Sequence, residues 1–269
     1  MNNLRTVVLL AAISGLLILV GAAIGGIGGI FLFGLIALGM NFGSYWFSAN
    51  IVLRSSHAKE IGRDEDPRLF AMIEEVAERS DMPMPRVYVM DTPQPNAFAT
   101  GRNPKHAAVA VTTGIRQILT DSELRGVIGH EMAHVKNRDI LTSSIVATIA
   151  SAISMIAFMS FFFGGRRGVL SMLVTALIAP IAAGIIQAAI SRSREFQADL
   201  DGARVIGDPE ALASALAKIE AGVQHVPRAV PEATAHLYIA NPFGGAGSQR
   251  FFSTHPPTEE RIRRLRNMG

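Results

Sequence analysis

The sequence predicts an α+β membrane protein, and three observations lead to this fold class. Long stretches without a charged residue have the length and composition of membrane-spanning helices. Polar segments between them hold the periodic apolar patterns of amphipathic helices, and short segments rich in β-branched residues indicate strands. Charged residues make up only 17% of the chain, against about 25% in average soluble proteins. We therefore expect membrane helices combined with a polar α+β domain.

The first uncharged stretch, between Arg5 and Arg54, is too long for one membrane span. A bilayer core of about 30 Å takes about 20 helical residues, so this stretch suits two spans, at Val7–Ile24 and Ile30–Leu53. Glycines mark the turn between them: Gly25, Gly26, Gly28 and Gly29. A cleaved signal peptide is the alternative for the N-terminus, but a second apolar span directly behind the first favours a membrane hairpin.

Two further uncharged stretches, Ile140–Gly165 and Gly168–Ser191, predict a second hairpin. Its spans are expected at Ile145–Phe163 and Val169–Ile190, the latter kinked by Pro180. The prediction is therefore four transmembrane helices in two hairpins.

Basic residues lie on one side of the predicted spans, which orients the chain. Arg166 and Arg167, in the second turn, are an exception without an explanation. Both termini and the polar segments are expected to face the cytoplasm. The basic residues on that side are Arg5, Arg54, Lys59, Arg63, Lys136, Arg138, Arg192 and Arg194.

The predicted organisation is one soluble domain interrupted by a membrane hairpin. Residues 1–53 form the first hairpin, 54–144 the first part of the domain, 145–191 the second hairpin and 192–269 the second part. Pro at the first helical position after Asp and β-branched runs define the elements of the domain. The predicted helices are 67–79, 209–221 and 257–266, and the predicted strands are 86–90 and 107–113, with an extended stretch at 96–101.

An HExxH motif, His130–His134, is the first candidate for chemistry. On a helix, residues four apart share a face, so both histidines can bind one metal ion while Glu131 reaches its water. A capping box at Thr120–Glu123 and the apolar residues that follow it place the motif on a helix. The alternative is a solvated surface of an amphipathic helix.

Hydrolytic zinc sites use a third protein ligand, and Glu195 is the best candidate. The two cytoplasmic ends of the predicted second hairpin lie side by side, and this would place Glu195 beside the motif. Its alternative is an ion pair with Arg192 or Arg194. The chain has no cysteine, so a zinc ion must be held by histidine and carboxylate.

Two further residues are candidates for supporting roles. Asp199 shares a helix face with Glu195 and is a candidate to accept the second ring proton of a ligand histidine; the alternative is a surface carboxylate. His255, before two prolines, is a candidate oxyanion donor; the alternative is a residue at a helix start without a catalytic part.

A peptide substrate could bind by adding a strand to an exposed sheet edge, because this fixes its main chain and leaves the side chains free. Asn96–Ala99, beginning with Asn96 and Ala97, or Ala108–Thr112 could be that edge. Either could equally be a covered strand. The net charge of +3 lacks the clustered basic and aromatic pattern of a nucleic-acid surface, so we expect polypeptide substrates and a lipid bilayer as partners.

These motifs together resemble the M48 family of membrane zinc metallopeptidases, in particular its HtpX-type heat-shock protease group. The match includes five segments: His130–Asp139, Glu195–Asp199, Asn96–Gly101, Ser253–Pro257 and Arg261–Ile262. The resemblance implies a zincin-like (gluzincin) domain facing the cytoplasm on a bacterial or archaeal inner membrane. It also implies one Zn²⁺ on His130, His134 and Glu195, Glu131 as catalytic base, and cleavage of misfolded or damaged membrane proteins.

Two functions from other classes compete with an active zinc endopeptidase. One is an inactive relative that acts as a membrane scaffold, and the other is a metal carrier that uses the same ligands. Glu131 argues against both, since neither needs a general base. A carrier should also have ionisable residues inside its spans, and these spans have none.

Overall fold

A computed structural model describes residues 2–139, 192–225, 239 and 256–268. The predicted second hairpin, with Pro180, Arg166 and Arg167, lies outside the described residues, and so does His255.

The N-terminal part is helical from Asn2 to Ser55 (α1), with one break in the backbone at Gly26. There φ is 55° and ψ is −136°, a left-handed conformation that favours glycine. The two halves of α1 fold against each other, since the Asn41 amide donates to the Ser14 hydroxyl at 2.9 Å. The backbone therefore turns where the glycines predict.

One segment of α1, Gly25–Gly43, is long and apolar enough to cross a membrane, and Leu10–Leu19 is a shorter apolar helix. Large apolar side chains point outward from the longer segment, with Ile27 77% exposed. The predicted span Ile30–Leu53 extends too far, because Val52 and Leu53 are buried against the sheet. The last two turns of α1 thus belong to the packing of the polar domain.

A four-stranded sheet in the order β1-β2-β4-β3 forms the base of the domain. Only β2 and β4 are parallel; the other two pairs are antiparallel. The strands are β1 Lys59–Glu60, β2 Arg86–Met90, β3 Ala97–Gly101 and β4 Ala107–Thr112. The predicted strands are confirmed, and β3 lies at an edge whereas β4 is central. Among the described residues β3 is therefore the candidate edge, although all five of its residues are buried, as the alternative of a covered strand expects; the alternative at Ala108–Thr112 is wrong.

The sequence did not predict β1, whose two residues are exposed and charged. It forms because Lys59 and Glu60 pair with Val89 and Tyr88 of β2. Two charged residues show no apolar pattern from which a strand could be predicted.

Three helices of the domain, α2 (Pro67–Arg79), α4 (Asp121–Lys136) and α6 (Pro209–His225), begin at the predicted caps. The Asp66 carboxylate accepts from the Leu69 amide at the start of α2, and Asp208 accepts from the Ala211 amide at the start of α6. Thr120 and Glu123 form the predicted capping box of α4. The helices are α2 Pro67–Arg79, α3 Thr113–Ile118, α4 Asp121–Lys136, α5 Arg192–Ile206, α6 Pro209–His225 and α7 Thr258–Arg266.

The two faces of the sheet are covered by different elements. Alternate residues of β4 point to opposite faces: Val109 and Val111 belong to the larger apolar core, with helices α2, α4 and α6. Ala108 and Ala110 belong to a smaller cluster with the end of α1. Since both faces are covered, every residue of β4 is buried. The larger core positions α4 across the sheet beside β3.

Candidate active site

The candidate site lies between α4 and α5, which pack closely together. Helix α4 supplies His130, Glu131 and His134, and α5 supplies Glu195 from its first turn. His130 is fully buried, Glu131 and Glu195 are buried, and His134 is half-buried. The alternative of a solvated surface helix is therefore wrong.

The side chains of His130, His134 and Glu195 each place one donor atom within 4.8 Å of the others. The two Nε2 atoms are 3.2 Å apart. Glu195 Oε2 lies 3.7 Å from His130 Nε2, and Glu195 Oε1 lies 3.5 Å from His134 Nε2. Donors about 2.0–2.1 Å from a tetrahedral zinc ion would be about 3.3 Å apart, so the observed spacing fits such an ion.

The hydrogen bonds of the two imidazoles also fit a bound cation. His130 Nδ1 lies 2.9 Å from Asp199 Oδ1, and His134 Nδ1 lies 3.3 Å from Asp139 Oδ2. If each Nδ1 carries the ring proton and donates it to its carboxylate, both Nε2 atoms have lone pairs that face each other at 3.2 Å. Such a contact is repulsive in the absence of a cation, and it is the arrangement that a divalent metal needs.

The negatively charged side chains around His134 favour a cation where the three candidate ligands meet. Burial by itself would lower the pKa of His134, but Glu195 and Asp139 outweigh this effect and raise it to about 10. The same negative charges also favour a divalent cation, whose binding requires that the metal-facing ring nitrogen carries no proton.

Asp199 is held in place by an arginine from another helix. Arg261, on α7, is fully buried and donates from Nε and from one terminal nitrogen to the two oxygens of Asp199, at 2.8 and 2.7 Å. Burial would raise the pKa of Asp199, but Arg261 holds it well below its usual value. Asp199 therefore stays ionised as an acceptor for His130, and the alternative of a surface carboxylate is wrong.

Asp139 plays the matching part for His134. It follows α4 directly, and its other oxygen lies 3.3 Å from a terminal nitrogen of Arg194 on α5. Each candidate ligand histidine thus faces a carboxylate that is itself paired with an arginine. Of the two alternative partners of Glu195, Arg194 pairs with Asp139 and Arg192 is exposed.

Glu131 lies between the metal-ligand cluster and the edge strand. Its Oε2 accepts a hydrogen bond of 2.8 Å from the Ala99 amide of β3. This bond orients the carboxylate and shows that the backbone of Ala99 faces away from β4. By the alternation of a strand, the backbone of Ala97 faces the same way, toward the edge of the sheet.

A comparison with protein families decides the identity of the chain: the model of peptidase family M48 matches residues 63–269. The chain belongs to peptidase family M48. It is 53% identical to the protease HtpX homologues of Burkholderia thailandensis, Burkholderia mallei and Burkholderia pseudomallei, over 100% of this chain and 97% of each relative. The M48 chain is therefore an HtpX-type metalloprotease, and the inactive-scaffold alternative has no support.

A solved structure, that of Ste24p from S. mikatae, has the same fold as this M48 chain. The match covers 97% of this chain at 17% identity with a TM-score of 0.55. This chain corresponds to 64% of the length of that structure. The likeness shows a mixed α+β fold in both proteins.

Asn96 and Ala97, the two candidate substrate-binding residues of this M48 protein, face opposite sides of β3. The backbone of Ala97 faces the edge of the sheet, but the backbone of Asn96 is used inside it, where Asn96 O accepts from the Thr112 amide at 2.9 Å. The Asn96 side-chain oxygen accepts from the Ile239 amide at 3.1 Å. Strand addition would therefore use Ala97 rather than Asn96. Their roles, like that of His255, stay predictions.

Sequence reasoning gave no individual role to Asp139 or Arg261 in this M48 site, and it named Arg194 only as an alternative partner of Glu195. Asp139 is five residues beyond His134, too far for a helix-spacing argument, and reaches it only because α4 ends at Lys136. Arg261 belongs to a helix rich in exposed charge. One signal was available in the sequence: Arg261 is four residues before Leu265 and so shares the face of the helix on which apolar residues are expected.

Proposed function

We propose that this M48 metalloprotease is a membrane-integrated zinc endopeptidase with one Zn²⁺ held by His130, His134 and Glu195. The observation that carries the proposal is the meeting of these three donors, with the two imidazole Nε2 atoms 3.2 Å apart. Zinc fits a donor set of two nitrogens and one oxygen at tetrahedral spacing, with the fourth position left for water or substrate.

The chain's own residues supply the proton transfers. When bound, zinc would lower the pKa of water and polarise the scissile carbonyl. Glu131 is positioned to take the proton from the attacking water and return it to the leaving amine. Burial of Glu131 and its hydrogen bond from Ala99 fix the carboxylate for both steps. His255 is proposed as a further donor to the developing oxyanion.

The substrate is proposed to be an extended polypeptide aligned along β3. Strand addition recognises backbone rather than side chains, so it suits unfolded segments of varied sequence. Misfolded or damaged membrane proteins would present such segments, and the similarity to protease HtpX homologues is consistent with a protease role.

We also propose four spans with the catalytic domain on the cytoplasmic side of a bacterial or archaeal inner membrane. The apolar segment Gly25–Gly43 and the basic residues on one side of the uncharged stretches support this topology. The helix α4 would then end close above the bilayer, near membrane-embedded substrates.

The proposed mechanism is tested with Glu131→Gln in the full-length, detergent-solubilised protein. The variant should keep its zinc, measured by elemental analysis, while cleavage of an unfolded protein slows about 10²- to 10⁴-fold, because the general base is lost. Glu78→Gln, at an exposed position of α2, is the matched control and should cleave normally. Cleavage by Glu131→Gln at the wild-type rate with zinc bound would show that the mechanism is wrong.

A further inference from the structure

A cavity of about 350 Å³ lies where α1 leaves its apolar segment and reaches the sheet. Its wall is formed by Tyr45, Trp46 and Ser48 to Asn50 of α1, by the beginning of β2, and by the turn between β3 and β4. None of the candidate metal ligands or their supporting residues lines it. The cavity is thus a second feature of the molecule, separate from the peptidase site.

The cavity is positively charged. Arg86, Arg102 and Lys105 line it together with His106, and none of the described lining residues is acidic. Arg86 is already engaged, because it donates to the Tyr88 hydroxyl at 2.9 Å and lies 3.8 Å from Glu60. Arg102 and Lys105 have no carboxylate partner among the described residues. Two cations are therefore available to an anionic ligand.

The helical wall of the cavity is aromatic. Tyr45 and Trp46 pack edge to face with centroids 5.5 Å apart, and Trp46 is 45% exposed. The Arg102 guanidinium lies 4.5 Å from the centre of the Trp46 ring. Tyrosine and tryptophan are enriched at membrane–water interfaces, where one end of the ring is apolar and the other wet. Trp46 lies just beyond the apolar segment Gly25–Gly43, and its ring centre is 6.1 Å from that of Phe42, an exposed residue of the segment.

We propose that this cavity binds the phosphate-bearing headgroup of an anionic phospholipid, whose acyl chains lie along the apolar segment of α1. The proposal rests on the membrane placement given under Proposed function. A guanidinium and an ammonium match a phosphodiester, and basic pockets beside membrane helices bind anionic headgroups. A free phosphate could use the same cations, but only a lipid also uses the exposed apolar face of the helix.

Trp46 is the only tryptophan of the chain, so its fluorescence reports on this cavity alone. The full-length protein is placed in nanodiscs, formed with a scaffold protein that lacks tryptophan, of phosphatidylcholine with a small fraction of phosphatidylglycerol, and either lipid is brominated near the headgroup end of its acyl chains. Per molecule, brominated phosphatidylglycerol should quench Trp46 more strongly. We expect a local enrichment of roughly fivefold for each available basic side chain.

The variants test whether the two cations cause the enrichment. Arg102→Gln/Lys105→Gln should remove it, and Lys105→Gln alone, at an exposed position, should lower it about fivefold even if the double variant does not fold. Comparing the two brominated lipids within each variant cancels any change in the intrinsic emission of Trp46. Arg263→Gln, exposed on α7 and outside the cavity, is the control and should keep the wild-type ratio.

Each other outcome overturns the proposal in a distinguishable way. Equal quenching by both lipids leaves the membrane placement intact and excludes an anionic-lipid site. Quenching by neither lipid contradicts the membrane placement as well. A saturable response to inorganic phosphate in pure phosphatidylcholine nanodiscs would identify a soluble anion as the ligand. Glu131→Gln should keep the wild-type ratio, so a failed peptidase mechanism would not alter this test.

Discussion

At the scale of single residues, the candidate site consists of two similar units. In each, a ligand histidine faces a carboxylate, and the carboxylate is paired with an arginine: His130 with Asp199 and Arg261, and His134 with Asp139 and Arg194. Each carboxylate accepts from one ring nitrogen of its histidine and so orients the ring, and Arg261 keeps the buried Asp199 ionised.

Arg261 is expected to control metal affinity through Asp199. Arg261→Lys keeps the charge but cannot bind both oxygens of Asp199, so the zinc affinity should fall about tenfold. Competition with a zinc chelator measures the affinity, and the cleavage rate at saturating zinc should change much less. Arg266→Lys, on the same helix in an exposed pair with Glu210, should leave the affinity unchanged. An unchanged affinity in Arg261→Lys would exclude this role.

Glu123 shows how a charge at a helix start makes stability depend on pH. Burial would raise its pKa, but hydrogen bonds from Lys218, Ser214 and Thr120 outweigh burial and lower it from 4.5 to about 2. Because the folded-state pKa is the lower one, this stabilisation is complete above pH 4.5 and is lost as the pH falls toward 2.

Glu123→Gln should therefore destabilise the protein by about 1–2 kcal/mol at neutral pH, through loss of charge-assisted hydrogen bonds. Thermal unfolding of the detergent-solubilised chain should show this difference shrinking as the pH is lowered to 3. Asp121 lies in the same helical turn as Glu123 and forms an exposed ion pair with Arg68 of α2. Asp121→Asn should therefore destabilise the protein less than Glu123→Gln. A difference that stays constant down to pH 3 would contradict the role of ionised Glu123.

At the scale of elements, the site depends on the close crossing of α4 and α5. Gly202 of α5 lies against the backbone of α4, where a Cβ would be 2.6 Å from the His130 nitrogen. Gly129 of α4 lies opposite, and a Cβ there would be 3.1 Å from the Gly202 oxygen. Only small residues let α5 bring Glu195 to the two histidines.

Gly202→Ala should push the two helices apart. We expect about 1–3 kcal/mol of destabilisation, since the contact is with backbone that cannot rotate away, and a weaker zinc affinity. Thermal unfolding and chelator competition measure the two effects. Gly39→Ala is the matched control: nothing lies within 4 Å of its Cβ position, so it should be neutral. Normal zinc affinity in Gly202→Ala would show that the crossing does not position Glu195.

At the scale of the whole molecule, α1 joins a hairpin with exposed apolar side chains to the second face of the sheet. The apolar side chain of Ile27 is exposed, whereas those of Val52 and Leu53, on the same helix, are buried against the sheet. The peptidase domain is therefore anchored to the hairpin by packing as well as by the chain.

The absence of cysteine from the sequence makes the proposed topology directly testable. A membrane-impermeant maleimide should label Ile27→Cys, at the turn of the hairpin, from outside intact cells. Lys59→Cys, on β1, should be labelled only after lysis, because the proposed topology places it on the cytoplasmic side. The unmodified chain is the control and should take up no label. Labelling of both variants from the same side would contradict the first hairpin.

The sequence by itself determined the local features of this protein. These are the HExxH helix with its capping box, the turn at the glycines of α1, the strands β2 and β4, and the helix starts after Asp66 and Asp208. Their signals act within a few residues, so one sequence is enough to predict them.

Only the tertiary structure decided which distant residues meet. It placed β3 at the edge beside Glu131, brought Glu195 of α5 to the histidines of α4, and buried Arg261 of α7 against Asp199. It also ended the apolar segment of α1 before Val52. These contacts depend on how elements pack across a shared core, which the spacing of residues along one chain does not specify.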